Sequence, residues 1–553
     1  MYLHRKSFLV FLIVVFLILF STYSCDFKST HVSETPLGDL RVKISLNEEI
    51  LKHYIFSQAT ITILSSNNES VLTPQPLSIS STETIIQVNN LTPGQYRATL
   101  SVSLSAKDEY SIPNCWEGTK SATITIVSGQ VTDVSISISR EDLEFSRLIH
   151  VNWQRVLGGS GEDVAYSVQQ TTDGGYIVAG WTGSDDGIVD GHQGDDDVWI
   201  VKFDSDGNIQ WQKCLGGTLE DKAYSIYLTT DGGYILAGST GSNDGDVSGK
   251  HGEDDVWIVK LNSSGDIEWQ KCLGGNHYEE AYSVQQTTDG GYIIAGYSIS
   301  NDGDLTVNNG WVDVWIVKLD SNGSIEWQRS IGGSEEDLAY SIRQTSDGGY
   351  IVAGQTWSND GDLSGNHGGY DALIVKLDSN GNIEWKKCLG GTLDEYATNI
   401  QQTEDGGYIF VGSNSSNDGD VSDNRGNSDV WLVKLNSDGS IKWQRSIGGS
   451  NDDSANGLYQ TRDGGYIVAG QTWSNDGDVS GSKGFCNIWI VRLNSNGNIE
   501  WQKCIGGSNE DIATSIQQTT DGGYIVVGYV SSNDGDIGIN YGDWDFYILN
   551  LGD

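Results

Sequence analysis

A chain of 553 residues is too long for one compact core, so at least two domains are expected besides whatever the N-terminus carries. Its formal charge of −43, from 75 acidic against 32 basic side chains, excludes nucleic acid as a partner, because holding a phosphate backbone requires clusters of Lys and Arg. The acid is interleaved with Trp, Tyr, Ile and Val, which bury surface, so it is not a disordered tail.

Residues 1–25 read as an export signal: Arg5 and Lys6 are followed by an almost wholly apolar run from Ser7 to Phe20 and then by small or polar residues leading to Cys25. Ser24-Cys25 resembles the end of a bacterial lipobox, which implies diacylation of Cys25 and a membrane anchored through lipid at the cell envelope, outer membrane or cell surface. Thr22 and Tyr23 depart from that pattern, and simple cleavage or an uncleaved anchor are the alternatives. Residues 26–37 form a linker. From 38 to 142, alternating runs such as Ala59–Leu64, Arg97–Val102 and Ala122–Val127 predict half-buried strands of a small β-sandwich. The segments Leu91–Tyr96 and Val127–Thr132 resemble turns of transthyretin-like and PEGA-like surface sandwiches, which implies a spacer. Every proline lies before residue 114, and residues 143–150 make a second linker.

Residues 151–553 are a repeat. Gly-Gly-Tyr-Ile recurs with its first glycine at Gly174, Gly232, Gly290, Gly348, Gly406, Gly464 and Gly522, a constant spacing without insertions. Each copy holds four strand-like segments, in the first copy Ala165–Thr171, Gly175–Gly180, Val198–Phe203 and Ile209–Lys213. Hairpin-sized linkers between them predict four-stranded antiparallel propeller blades. The seventh copy lacks its fourth strand, and Val151–Arg155, which matches Ile209–Lys213, is placed to supply it and close the ring. The expected fold is therefore all-β, a seven-bladed propeller preceded by a sandwich.

The motif Leu377–Trp385 resembles the tryptophan-docking motif of quinoprotein-like propellers, whose closure logic WD-repeat propellers share; it also resembles Asp/Gly-rich repeats of bacterial surface and secreted proteins. The recurring tryptophans, Trp153 to Trp501, are read as packing between blades. Cys214, Cys272, Cys388 and Cys504 share a position with Val156, Ser330 and Ser446, which marks a small packing site and not a disulfide or metal site.

Acids recur on one rim. The long loops carry Asp186, Asp244, Asp246, Asp302, Asp304, Asp360, Asp362, Asp418, Asp420, Asp476, Asp478, Asp534 and Asp536, and these are the candidate calcium ligands, since calcium takes six to eight oxygens. Asx turns that satisfy the same side chains without any ion are the alternative. His192, His251, His277 and His367 have no second His or Cys at metal-ligand spacing, and no nucleophile elbow, P-loop or repeated Arg cluster occurs.

What breaks the repeat is where function is grafted. The candidate ligand-binding residues are Trp181, His277, Tyr278, Trp311, Trp357, Trp473 and Phe485, with loop anchoring as their alternative role. The expectation that follows is a non-enzymatic envelope or surface lipoprotein whose acidic top face binds a protein or a glycan. A carbohydrate-active enzyme using top-face carboxylates, or a purely structural envelope protein, are the alternatives.

Overall fold

In the computed structural model the chain divides into two compact units, Met1–Ile149 and His150–Asp553. The described residues are 150–552 and the backbone of seven strands between 38 and 131; the export segment, Cys25 and the linkers at 26–37 and 143–149 lie outside them. In the first unit Gly38–Ser45 pairs antiparallel with Glu83–Leu91. A second antiparallel sheet has the order Ser70–Pro76, Tyr54–Ser65, Gly94–Ala106, Trp116–Val127, Gln130–Val131.

The second unit is a seven-bladed β-propeller of four-stranded antiparallel blades. In the first blade the innermost strand is Asp163–Gln170, followed outward by Tyr176–Thr182, Asp197–Phe203 and Ile209–Leu215. The ring closes as the repeat predicts: His150–Leu157 is the outermost strand of the seventh blade, paired with Asp545–Gly552 so that Trp153 lies opposite Asn550 and Leu157 opposite Phe546.

The two middle strands of a blade are buried on both faces by neighbouring blades, which is why they read as continuous apolar runs and not as alternation. The core is accordingly a ring between blades. Ile177, Ala179, Val198 and Ile200 of the first blade pack against Leu236, Trp257 and Val259 of the second, and the pattern recurs around the molecule. The repeated tryptophan of each outermost strand docks on the next blade. Trp153 meets Tyr176 edge-on at 5.8 Å between ring centres and covers Gly207, where a Cβ would stand 2.6 Å from the indole. The cysteines at the small packing position are free thiols, with Cys214 and Cys272 in the inter-blade clusters.

Candidate functional site

The innermost strand of every blade contains one residue too many. In the first blade Ala179 lies opposite Ser167 and Gly180 opposite Ala165, so Tyr166 is left out of the ladder. The same bulge leaves out Tyr224, Tyr282, Tyr340, Thr398, Asn456 and Thr514. A bulge re-aims the side chain it frees. The residue opposite must be glycine, because a Cβ on Gly238 would overlap the carbonyl oxygen of Lys222.

The freed side chains form a closed ring around the centre of the propeller, and its two halves differ. Tyr166 meets Tyr224 edge-on, and Tyr224, Tyr282 and Tyr340 continue as tilted ring contacts, with ring centres 5.0, 5.1 and 5.5 Å apart. In the other half Thr398 Oγ1 donates to the Ala455 carbonyl at 2.6 Å, Asn456 Nδ2 to Ala513 at 2.9 Å and Thr514 Oγ1 to Ala165 at 2.8 Å. Short side chains leave room there: a cavity of about 480 Å³ is lined by Tyr340, Gln355, Tyr370, Tyr396, Thr398, Ser413, Ser454 and Asn456. Tyr370 lies 5.8 Å from Tyr396 and 5.6 Å from Trp357, and Trp357 also lines a second, outer cavity of about 440 Å³ with Ser334, Glu335, Asn359 and Asp360.

Two charges stand against the tyrosine wall, on consecutive blades at equivalent positions. Glu280 is half-buried and accepts a hydrogen bond from Tyr282 Oη at 2.8 Å. Burial pushes its carboxyl above the ordinary carboxylate range, hydrogen bonds from Tyr282 and Tyr297 oppose that rise, and the charge of Asp254 adds to it. Asp254 is itself raised, first by burial. Lys222 pairs with Asp196 at 2.9 Å and Glu220 at 2.8 Å, and its ammonium lies 4.9 Å from the centre of the Trp181 ring.

The acids of the long loops are placed elsewhere. The first acid of each loop clasps the Gly-Gly turn of its own blade through a backbone N–H: Ser160 N to Asp186 at 2.6 Å, Thr218 N to Asp244 at 2.9 Å, with Asp302, Asp360, Asp418, Asp476 and Asp534 doing the same at 2.7 to 2.9 Å. The second acids face the preceding blade, where Asp246 accepts from Gln193, Asp362 from Asn309, Asp478 from Arg425 and Asp536 from Lys483. Asp304 stands 3.9 Å from His251, and Asp420 bonds the Gly390 carbonyl through its backbone N–H. Among the described residues no group of three or more His, Cys, Asp or Glu side chains converges as a metal site.

Of the aromatic candidates, Trp357 lines the outer cavity and packs against Tyr370, and Trp181 lies under the Lys222 ammonium. Trp181 is buried within the second strand and not in the loop after it. His277, Tyr278, Trp311 and Phe485 are exposed on the rim, and Trp473 is half-buried. Sequence reasoning missed Glu280, Lys222, Asp254 and the bulge ring. The signal was present: these are positions at which otherwise matching copies disagree, with Val164, Lys222, Glu280, Leu338, Tyr396, Ser454 and Ile512 in one register.

Fold and site together define a seven-bladed β-propeller with an asymmetric, tyrosine-walled depression at its centre. No family model matches the chain. It is 24% identical over 296 residues to regulatory protein FlaEY of Caulobacter vibrioides, and the match covers 47% of this chain but only 30% of that protein. Among solved structures it is similar to an α-L-arabinanase of Penicillium chrysogenum, at 11% identity and a TM-score of 0.33 over 72% of this chain and 98% of that one. A β-fructofuranosidase of Bombyx mori, at 11% identity and a TM-score of 0.27, is covered to 91% by 73% of this chain. A xylan β-1,4-xylosidase of Bacillus halodurans, at 10% identity and a TM-score of 0.23, is covered to 96% by 82% of this chain. Such likeness concerns fold alone. The expectation of a non-enzymatic binding module is corrected: it rested on the absence of familiar catalytic motifs, and on a scaffold that hosts many activities such an absence excludes no catalysis; the neighbours named here are enzymes.

Proposed function

We propose that this propeller is a carbohydrate-active enzyme working in its central depression, with Glu280 as the proton donor. The observation that carries the reading is a half-buried carboxyl of raised pKa, held by a tyrosine hydroxyl, at a position where the seven copies differ. A carboxyl kept protonated by desolvation is what cleavage of a glycosidic bond asks of its general acid, which must deliver a proton to the departing oxygen. Asp254, coupled to Glu280 by charge, is the second carboxyl such chemistry requires. The tyrosine wall supplies faces on which a sugar ring stacks, and Gln355, Ser413 and Asn456 supply neutral donors and acceptors for its hydroxyls.

The test is to incubate the full chain with a panel of plant and bacterial polysaccharides and to follow new reducing ends and product masses. Product released by the wild type and not by Glu280→Gln supports the reading. Glycans that are retained by the protein in affinity electrophoresis but stay uncut would overturn it.

We also propose export and lipid anchoring through Cys25, supported by the charged and apolar run that precedes it, with the strands of residues 38–131 forming a sandwich that spaces the propeller from the membrane. Mass spectrometry of membrane-extracted protein is expected to show a diacylated Cys25 as the first residue; an unmodified Cys25 would sink the anchor.

A further inference from the structure

Six of the seven junctions between blades bury a pair of acids beside the first glycine of the Gly-Gly turn. Asp197, at the start of the third strand of one blade, meets Asp221, at the start of the innermost strand of the next; a Cβ on Gly216 would collide with Asp197 Oδ1 and Asp221 Oδ2. Asp313 and Asp337 flank Gly332 in the same way, Asp429 and Asp453 flank Gly448, and Asp545 and Asp163 flank Gly158. All of these carboxyls are fully buried.

The members of a pair are treated differently by their surroundings. Asp221 accepts from the Thr240 hydroxyl, from Ser242 Oγ at 2.8 Å and from Gly217 N at 2.7 Å, a set of donors that suits an ionised carboxylate. Asp197, Asp313, Asp429 and Asp545 each accept one backbone N–H at Oδ2, from Gln193, Asn309, Arg425 and Tyr541, with Ser330 Oγ added at Asp313, and in all four Oδ1 has no partner; the same holds for Oδ1 of Asp371, whose Oδ2 meets the His367 backbone and ring, and Oδ1 of Asp453 in the opposite set also lacks one. A buried oxygen without a donor is costly, and its repetition at the equivalent position of five junctions excludes chance.

The sixth junction shows what the position requires. There the residue is Asn487, whose Oδ1 accepts from Lys483 N as the aspartates accept at Oδ2. Its Nδ2 takes the place of the orphaned oxygen, being the atom nearest the Cβ position of Gly506, and donates to the Gly507 carbonyl at 3.1 Å. By that equivalence Oδ1 of the four aspartates faces the carbonyls of Gly217, Gly333, Gly449 and Gly159, acceptor against acceptor. A proton on Oδ1 resolves the clash.

We propose that Asp197, Asp313, Asp429 and Asp545 are neutral acids in the folded propeller, each donating Oδ1–H to the second glycine of the turn, so that acid tightens the blade junctions and alkali loosens them. The neighbouring charges agree. Asp197 faces Asp221, Asp246 and Cys214 with His192 opposing, Asp313 faces Asp337 and Asp362, Asp429 faces Asp453 and Asp478 with Arg425 opposing, and Asp545 faces Asp163. Burial first, and then these acids, push Asp197, Asp429 and Asp545 up to about 6. A carboxyl raised in the folded state is protonated there while the unfolded chain has already ionised, so stability is greatest at acid pH and falls as pH rises through the interval from about 4 to about 6.

The experiment is thermal melting of the full chain from about pH 5 to about pH 7.5, for the wild type and for D197N/D313N/D429N/D545N, with and without chelator. The wild type is expected to melt higher at the acid end by roughly 5–10 °C, and the variant to lose that slope and to melt higher than the wild type at neutral pH. Infrared spectra of the wild type are expected to show protonated-carboxyl stretches at acid pH that are absent from the variant, a readout independent of the variant's stability. An unchanged slope in the variant, absence of those stretches, or a wild-type melting point that falls when cations are chelated would overturn the proposal, the last by placing a cation where the proton is assigned.

Discussion

Glu280→Gln is expected to lower kcat/KM on a cleaved glycan by ~10²–10⁴-fold, the usual contribution of a positioned general acid. Glutamine keeps the size of the side chain and an acceptor for Tyr282 Oη, so the melting temperature is expected to stay close to that of the wild type. The pH profile carries the sharper information. Because burial raises the Glu280 carboxyl, the proton it donates persists above the ordinary carboxylate range, and activity is lost only as pH rises past that elevated value. The alkaline limb seen in the wild type is expected to vanish from the residual activity of the variant. A variant that retains wild-type kcat with the same limb would show that Glu280 only positions its tyrosines. Asp254→Asn separates the two carboxyls: burial still raises Glu280, but removing the charge that adds to that rise is expected to move the limb somewhat to lower pH, whereas a second chemical role for Asp254 would lower kcat at every pH.

A chain lacking residues 150–157 is expected to lose the single cooperative unfolding transition of the propeller, a destabilisation of more than about 4 kcal/mol. That segment supplies the outermost strand of the seventh blade and adds to the inter-blade contacts that already join the last blade to the first. Without it the Asp545–Gly552 strand, which is buried throughout, presents a bare edge, and Trp153 no longer covers Gly207 of the first blade. Calorimetry and light scattering are the measurements, with aggregation on heating as the expected companion. A synthetic peptide covering 150–157 should restore the transition if closure is the cause; a truncated chain that melts like the intact one would show that seven blades hold their ring through the inter-blade core alone.

Much of this molecule is legible in its repeat. A constant spacing, four short apolar segments per copy and a missing strand at one end that reappears at the other compel a closed seven-bladed ring, because blades buried on both faces have no other way to cover their edges. Inter-blade packing of the tryptophans and the small cysteine position followed from the same regularity. The long-loop acids were visible too, but their use was not. Asp186 and its equivalents bond the backbone of a turn 26 residues earlier in the chain, a partner that only folding brings near.

The centre of the top face was decided by tertiary structure. Tyr166, Tyr224, Tyr282 and Tyr340 read as ordinary members of alternating strands, and nothing local distinguishes them from the buried tyrosines of the Gly-Gly-Tyr-Ile motif. They meet one another, and Tyr340 reaches the cavity, because a one-residue bulge opposite a glycine turns them out of the ladder, and a bulge depends on pairing between strands and not on the residue itself. Glu280 and Asp254 come from different blades, as do Asp197 and Asp221, so their shared burial and raised pKa values are properties of the junction. Which elements form, and how many, follows from periodicity that each blade carries alone; which acids meet was settled by the closed ring, since Glu280 with Asp254 and Asp197 with Asp221 each span two blades.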